Sequence, residues 1–281
     1  MTATTEEKTG PVYVLRPRNR LDGLGLSELF ASTHLIRHLM MRSIRARYRP
    51  TMLGYGWILA RPALLCLSYW LAVGVLFKVD SHPIPFPLFL FLGVSAYLFF
   101  SSGLTDTMGS LRNNVQSMSK VYYPRLAVPL STMGMNLIDL GASLLVVFAL
   151  MAGYRVAPPA HVFLFPVFVM AFALITFASG LILAAWAVKV QDVMMILPVL
   201  MRVLIYAMPC VYPVFRVPEA FRRYYFLNPF ASYLQGMRWS LLGDLPPPAW
   251  SVAWAAGWTA AALIFGLLYF SKVERTMVDS L

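Results

Sequence analysis

Long apolar segments alternate with short polar segments over most of this chain. A tilted helix needs about 20 apolar residues to cross about 30 Å of hydrocarbon, and six segments reach that length. The pattern therefore predicts an all-α membrane protein with six transmembrane helices. The spans are predicted at about 52–78, 86–104, 126–154, 162–188, 193–213 and 249–270.

A shorter amphipathic segment, 27–49, precedes the first span. Four apolar residues share one face of the predicted helix: Leu29, Ile36, Met40 and Ile44. Four basic residues share the opposite face: His38, Arg42, Arg45 and Arg49. Only Arg37 and Arg47 interrupt the pattern, which predicts a helix lying in the headgroup plane with its basic side chains near lipid phosphates. His34 and His38 have the i,i+4 spacing of a metal-binding pair, but no third ligand is evident, so we predict no metal site.

The segment before this helix, 1–26, is polar and contains little that could be buried. We predict a mobile cytoplasmic tail for it and a single transmembrane domain for 27–281. Because the first residues contain no apolar h-region, we also expect no cleavable signal peptide.

The segment 214–248 is too long for a turn and too aromatic for a loop in water. Asn228, Pro229 and Gly236 interrupt it, so we predict two short helices that enter the outer leaflet between the fifth and sixth spans. Irregular backbone at such depth requires surrounding protein or a water-filled cavity. We therefore expect these re-entrant helices to line an exit.

The loop 106–125 also has helical periodicity. One face of the predicted helix is apolar: Leu111, Val115, Met118 and Tyr122. This pattern predicts a short amphipathic helix that is available to a cytosolic partner. A purely structural helix packed on the inner leaflet is an equally good interpretation of the same pattern.

Composition and charge agree with a membrane protein. Of the 281 residues, 59% are hydrophobic and only 12% are charged, whereas soluble domains carry about 25% charged residues. The net charge of +11 is concentrated at span ends, which fits a membrane topology better than nucleic-acid binding. Most Lys and Arg residues fall on the side that holds both termini, and a minority, including Arg238, fall on the other. The positive-inside rule therefore predicts two cytoplasmic termini.

Sequence motifs for catalysis are absent. There is no P-loop, no nucleophile elbow, no His-Glu-x-x-His and no pair of Cys-x-x-Cys, so the chain is not expected to hydrolyse ATP. Cys66 and Cys210 lie in apolar segments, and no disulfide is assigned. Asp139 lies within the third span, where a carboxylate is a candidate proton relay, although Asn136 beside it also fits a buried structural pair.

Five short motifs together resemble the permease subunit of type-2 ABC exporters of polysaccharides, such as O-antigen, teichoic acid or capsule. The motifs are Arg-Ala-Arg-Tyr-Arg-Pro-Thr-Met-Leu-Gly-Tyr-Gly-Trp at 45–57, Lys-Val-Tyr-Tyr-Pro-Arg at 120–125, Pro-Cys-Val-Tyr-Pro at 209–213, Val-Pro-Glu at 217–219 and Leu-Asn-Pro-Phe at 227–230. Their order and spacing make the resemblance specific. Arg61, before Pro62, and the longer N-terminal tail depart from the family pattern.

The resemblance implies a homodimer in the bacterial cytoplasmic (inner) membrane that exports a lipid-linked polysaccharide. It also implies two copies of a separate cytosolic ATPase, which would bind ATP and Mg²⁺, so that this chain itself needs no cofactor. Two cytoplasmic loops would contact that ATPase. The coupling residues implied by the resemblance are Arg112, Gln116, Lys120, Tyr122, Gln191 and Asp192.

Polar and aromatic side chains on two spans predict a substrate conduit, because polar groups in a bilayer face protein or water. Trp57, Arg61 and Ser68 share one face of the first span. The fifth span contributes Arg202, Tyr206 and Cys210, and the exit region contributes Tyr224 and Tyr225. Ordinary packing or an interfacial aromatic belt would explain any one of them equally well. The two arginines would face either an anionic substrate or a structural counter-ion such as Asp139.

Two other functions fit the same pattern of spans. The first is a type-2 ABC exporter of small lipophilic molecules. The second is a membrane-embedded glycan transferase that acts without ATP, although no acidic pair on an aqueous loop supports it.

Overall fold

The structure is a computed structural model, and it describes residues 32–78, 81, 83–118 and 126–278. Over these ranges the chain is helical and contains no strand. The helices are α1 (Thr33–Tyr48), α2 (Trp57–Tyr69), α3 (Phe86–Met118), α4 (Ala127–Tyr154), α5 (Phe165–Lys189), α6 (Asp192–Ala207), α7 (Glu219–Tyr225), α8 (Pro229–Leu242) and α9 (Ala249–Val278). Short 3₁₀ turns precede α2, α5 and α7, and a π-helical segment, Trp70–Leu76, extends α2. The all-α prediction is therefore confirmed.

Five helical segments in the described part of the chain are long and apolar enough to cross a membrane. They are Gly54–Leu76, Phe86–Arg112, Ala127–Tyr154, Val162–Lys189 and Ala249–Val273. Each overlaps a predicted span, and the segment that begins at Val162 matches the prediction within one residue. The remaining prediction, 193–213, falls on α6, which has only 16 residues. The span at 193–213, the fifth in chain order, therefore stays a prediction.

The early end of α6 has a local cause. Met208 adopts an extended conformation, with φ −102° and ψ 149°, and the next residue is Pro209. A proline disfavours the α conformation at the residue before it and lacks the N–H that continues a helix. The chain therefore leaves the helix axis after Ala207.

Helix α3 forms the centre of the fold. It packs against both α4 and α5, and most of its apolar half is buried. Leu88, Leu90, Leu92 and Val94 are 0% exposed, as expected for a helix that is apolar on all sides. In contrast, α2 leaves most of its surface exposed, so one side of the bundle remains open.

The separate amphipathic helix predicted for 106–125 is wrong for the part that the structure describes. Helix α3 continues for 33 residues from Phe86 to Met118 without a break. The polar residues after Leu104 are accommodated within that helix, because Thr105 donates to the carbonyl oxygen of Ser101 and Ser110 donates to that of Thr107. Residues 119–125 lie outside the described residues, as does the predicted tail 1–26.

The predicted helix at 27–49 corresponds to α1. Three residues of its predicted apolar face pack on protein: Ile36 in a cluster with Ala127 and Val128, and Met40 and Ile44 in a cluster with Met135. The fourth, Leu29, lies outside the described residues. The two short helices predicted within 214–248 correspond to α7 and α8. Their insertion into the outer leaflet and the interfacial position of α1 stay predictions.

Candidate functional site

An open groove of about 600 Å³ lies between α2, α3 and α6. Five of the predicted conduit residues line it: Trp57, Arg61, Ser68, Arg202 and Tyr206. Tyr69, Tyr97 and Ser101 add further hydroxyl groups, and leucines complete the wall. The groove thus combines two cations with aromatic rings and hydroxyl groups. Helix α3 is long enough to span a bilayer, and so is the segment Gly54–Leu76 that contains α2.

Helical periodicity explains how these side chains meet. Residues four apart lie on one face of a helix, and this spacing relates Trp57 to Arg61 and Arg202 to Tyr206. Helix α3 supplies the back wall, and the Tyr97 hydroxyl donates to the Met201 carbonyl oxygen at 2.6 Å, which ties α3 to α6. Arg61 donates from Nη1 to the Ser102 hydroxyl at 3.2 Å.

The other three predicted conduit residues do not line this groove. Placing Cys210 with Arg202 and Tyr206 is wrong, because α6 ends before it and the Cys210 side chain is buried, at 0% exposed. Tyr224, on α7, is exposed. Its neighbour Tyr225 is partly buried, with its ring 6.4 Å from that of Tyr212.

An ion-pair network joins α1 to the bundle. Arg47 donates to Asp106 of α3 at 2.6 Å and to Asp139 of α4 at 3.4 Å. Asn136 donates to the same Asp106 oxygen at 2.9 Å, and the Tyr48 hydroxyl donates to Asp139 at 2.7 Å. Asp139 is, from the sequence alone, a candidate structural counter-ion for Arg61 and Arg202. Its ion pair in the structure is with Arg47, which the sequence pattern marked only as an interruption.

Electrostatics explains why this network is stable. Burial lowers the pKa of Arg47, but attraction to Asp106 and the hydrogen bond with it outweigh burial, so the pKa of Arg47 lies above its ordinary value. Burial, together with the hydrogen bond to Asp139, raises the pKa of Tyr48 to about 12. Arg47 is therefore a cation and Tyr48 a neutral donor at physiological pH.

A second cavity, of about 210 Å³, lies at the opposite end of α3 from Phe86. It is lined by parts of α3, α5 and α6, with Arg112 and Gln191 among them. Two predicted coupling residues, one in α3 and one in the turn before α6, therefore line the same cavity. Asp192 is exposed at the first residue of α6. Gln116 belongs to α3, and Lys120 and Tyr122 lie outside the described residues.

Arg238 of α8, which the sequence pattern marks only as one of the charges on the outer side, is buried, at 0% exposed. Its guanidinium donates to the carbonyl oxygens of Pro209 and Cys210, and it lies over the Phe89 ring, 3.6 Å from the centroid. Gly93 of α3 permits this approach, because a Cβ there would collide with the Cys210 carbonyl oxygen. Arg238 thus satisfies carbonyl groups freed by the end of α6.

Comparison with known proteins decides the family. The model of the ABC-2 type transporter family matches residues 34–242. The chain belongs to this family. The match begins in α1 and ends in α8, so it includes the groove, the ion-pair network and the second cavity of this ABC-2 transporter chain.

Curated relatives are named for polysaccharide export. The chain is 31% identical over 210 residues to the O-antigen export system permease protein RfbA of Myxococcus xanthus, covering 74% of this chain and 80% of that protein. It is 24% identical to the RfbA protein of Klebsiella pneumoniae, covering 85% and 92%. It is 22% identical to the polysialic acid transport protein KpsM of Escherichia coli, covering 87% and 95%.

Sequence reasoning missed the roles of Arg47 and Arg238 in this ABC-2 transporter chain. Both lie among residues that suggest a solvated or interfacial surface. The acidic partners of Arg47 are at least 59 residues away in the sequence, and the carbonyl groups that bind Arg238 are at least 28 residues away. One signal was available, because Asp139 and Asn136 lie in an apolar span and require partners. The partner itself depends on how α1 packs, which periodicity does not determine.

Proposed function

We propose that this chain is the transmembrane permease subunit of an ATP-driven exporter that moves a lipid-linked polysaccharide across the cytoplasmic membrane. The groove between α2, α3 and α6 carries this proposal. Sugar rings pack on aromatic faces such as that of Trp57, while tyrosine hydroxyl groups form weak hydrogen bonds. Arg61 and Arg202 suit phosphate or carboxylate groups of the substrate, because guanidinium binds such groups in a bidentate manner.

A second copy of the chain would close the groove into a conduit. The groove is open on one side, and beside it α2 and α6 expose an apolar surface: Leu64, Leu67, Leu71, Val199 and Val203. An isologous dimer packed through this surface would bring two grooves together. In this assembly α6 and the residues that follow it form the fifth of six spans, α1 lies at the inner surface, and both termini are cytoplasmic.

Energy would come from two copies of a cytosolic ATPase, since this sequence has no P-loop. The cavity lined by Arg112 and Gln191 is a suitable contact, because its lining is mainly apolar and its two polar residues come from α3 and from the turn before α6. Movement of the ATPase would then act on α3 and on the start of α6 together. Both helices contribute to the groove.

Reconstitution tests the function. The chain and its ATPase would be placed in vesicles, and ATP-dependent transfer of a labelled lipid-linked glycan would be measured. We expect transport by the parent, slower transport by Arg202→Lys and slower still by Arg202→Ala, with the ATPase bound in all three. Arg155→Asn is the control, because Arg155 lies outside the groove and Asn tolerates its left-handed backbone.

Two outcomes would contradict the proposal. Sugar transfer without ATP would indicate a glycan transferase. Export of small lipophilic molecules, with no movement of glycan, would indicate the other type of ABC exporter.

A further inference from the structure

The two carboxylate oxygens of Asp139 have different surroundings. Oδ2 accepts hydrogen bonds from Tyr48 at 2.7 Å and from Arg47 at 3.4 Å, both donated by α1. Oδ1 is buried and has no hydrogen-bond partner among the described residues. Buried carboxylate oxygens nearly always have a donor nearby, directly or through water. The free oxygen therefore requires a donor from the groups around it.

A small cavity adjoins Asp139 and supplies such a donor. Its volume is about 30 Å³, enough for about two water molecules. Arg61 and Ser95 line it together with Asp139, and the buried Ser95 hydroxyl also has no partner among the described residues. Arg61 lines the large groove as well. The Arg61 side chain thus borders both the small cavity and the groove, and its Nη1 donates to the Ser102 hydroxyl, which also lines the small cavity.

We propose that Asp139 is a positioning residue for Arg61. Across the small cavity, directly or through water, its carboxylate draws the Arg61 guanidinium toward the wall of the groove. Helix α1 determines how strongly the Asp139 carboxylate attracts Arg61, because Tyr48 and Arg47 of α1 donate hydrogen bonds to the other oxygen of that carboxylate. Looser contact with α1 would strengthen the hold on Arg61 and make the groove less positive.

The proposal concerns regulation of the proposed conduit and so rests on that function. The position of α1 would control how strongly the groove attracts an anionic group of the substrate. Because α1 is the helix predicted to lie at the cytoplasmic surface, a movement there would reach the groove through one shared carboxylate.

A measurement of the local charge in the groove tests the proposal without any transport assay. Ser68, which lines the groove, is replaced by Cys, and its reaction rates with an anionic and a cationic methanethiosulfonate are compared in nanodiscs. Cys66 and Cys210 are buried, so the parent chain serves as the unreactive background. We expect Arg61→Gln to lower the ratio of anionic to cationic rates about fourfold. Asp139→Asn should raise the ratio about threefold, because Arg61 is released into the groove.

The decisive comparison combines the two changes. Asp139 does not line the groove that contains Ser68, and 0.15 M salt screens the interaction of distant charges. In the Arg61→Gln background, Asp139→Asn should therefore change the ratio less than about 1.5-fold. Tyr48→Phe should lower the ratio, in contrast to Asp139→Asn. The variant loses the hydrogen bond from Tyr48 to Asp139, so the Asp139 carboxylate attracts Arg61 more strongly. Asp106→Asn removes an equal charge from the network without touching the small cavity. It acts on Asp139 only by leaving Arg47 to that carboxylate, so it should raise the ratio clearly less than Asp139→Asn does.

Three results would overturn the positioning role. The first is an equal change in the rate ratio for Asp139→Asn with and without Arg61. The second is an equal change in that ratio for Asp106→Asn and Asp139→Asn. The third is a higher ratio in Tyr48→Phe. A Cys at position 68 that reacts with neither reagent would refute an aqueous groove and, with it, both proposals. If the ratios follow expectation but the vesicles export no glycan, the proposed function fails and the positioning role stands.

Discussion

Arg47 is the residue whose loss we expect to weaken the attachment of α1 most. In Arg47→Met the apolar stem is largely retained, but Asp106 and Asp139 lose the cation that lies between them. Tyr48 still donates to Asp139 and Asn136 still donates to Asp106. Both carboxylates therefore stay in place, without a cation to offset their repulsion and their burial.

The expected cost follows from the geometry of the network. Removing one partner of a buried ion pair costs about 3–5 kcal/mol. Side chains of Arg47 and Asp106 are 27% and 24% exposed, so solvent screening reduces the cost to about 2–3 kcal/mol. A change of 1 kcal/mol shifts the Tm of a chain near this size by about 2–4 °C. We therefore expect the apparent Tm of Arg47→Met to fall by about 5–10 °C.

Tryptophan fluorescence during heating of the detergent-solubilised chain would measure this change. Arg45→Met is the matched control, because Arg45 is exposed on the same helix, and its Tm should shift by less than about 1 °C. Adding Asp106→Asn to Arg47→Met should restore at least half of the loss, since it removes one of the two repelling charges. Equal shifts in Arg47→Met and Arg45→Met, or no recovery in the double variant, would refute the reasoning.

Three further predictions concern other parts of the chain. Gly93→Ala should abolish stable expression, as judged by size-exclusion chromatography, because the new Cβ collides with the Cys210 carbonyl oxygen and with Arg238; a monodisperse protein of parental Tm would contradict it. Asp192→Lys should leave insertion intact but reduce co-purification with the ATPase, whereas Asp192→Asn should have a smaller effect; normal ATPase binding by the Lys variant would exclude this loop as a contact. Tyr224→Ala should slow export of long glycans more than short ones, because each ring adds one weak contact along the path, and equal slowing at all lengths would argue against an exit role.

The sequence predicts most of the fold because the bilayer constrains it strongly. Spans such as Val162–Lys189 follow from length and apolarity alone. The groove residues Trp57 and Arg61 follow from helical periodicity, since α2 is a regular helix over that range. The same reasoning fails at Cys210, where extended Met208 ends the helix before the extrapolated face continues.

Long-range polar contacts could not be predicted in this way. The direction of a charged side chain is not defined until its helix is packed. The sequence therefore marks Arg47 only as an interruption of an amphipathic pattern, and Arg238 only as one of the charges on the outer side. In the structure both arginines bind polar groups that are shielded from solvent. Arg47 binds the carboxylates of Asp106 and Asp139, and Arg238 binds carbonyl groups that follow α6. Helical periodicity shows which helix face carries a polar group, but it does not show which residue binds that group.

The pairing of these charges bears on the function of the groove. Arg47 has two acidic partners and Arg238 has backbone acceptors, whereas Arg202 forms no ion pair with any acidic residue that the structure describes. An arginine at membrane depth costs about 2.5–3.5 kcal/mol on insertion scales. The acidic residue that could have offset this cost, Asp139, is engaged by α1 instead. The proposed substrate, with its phosphate or carboxylate groups, would therefore give Arg202 a partner that the described acidic residues do not provide.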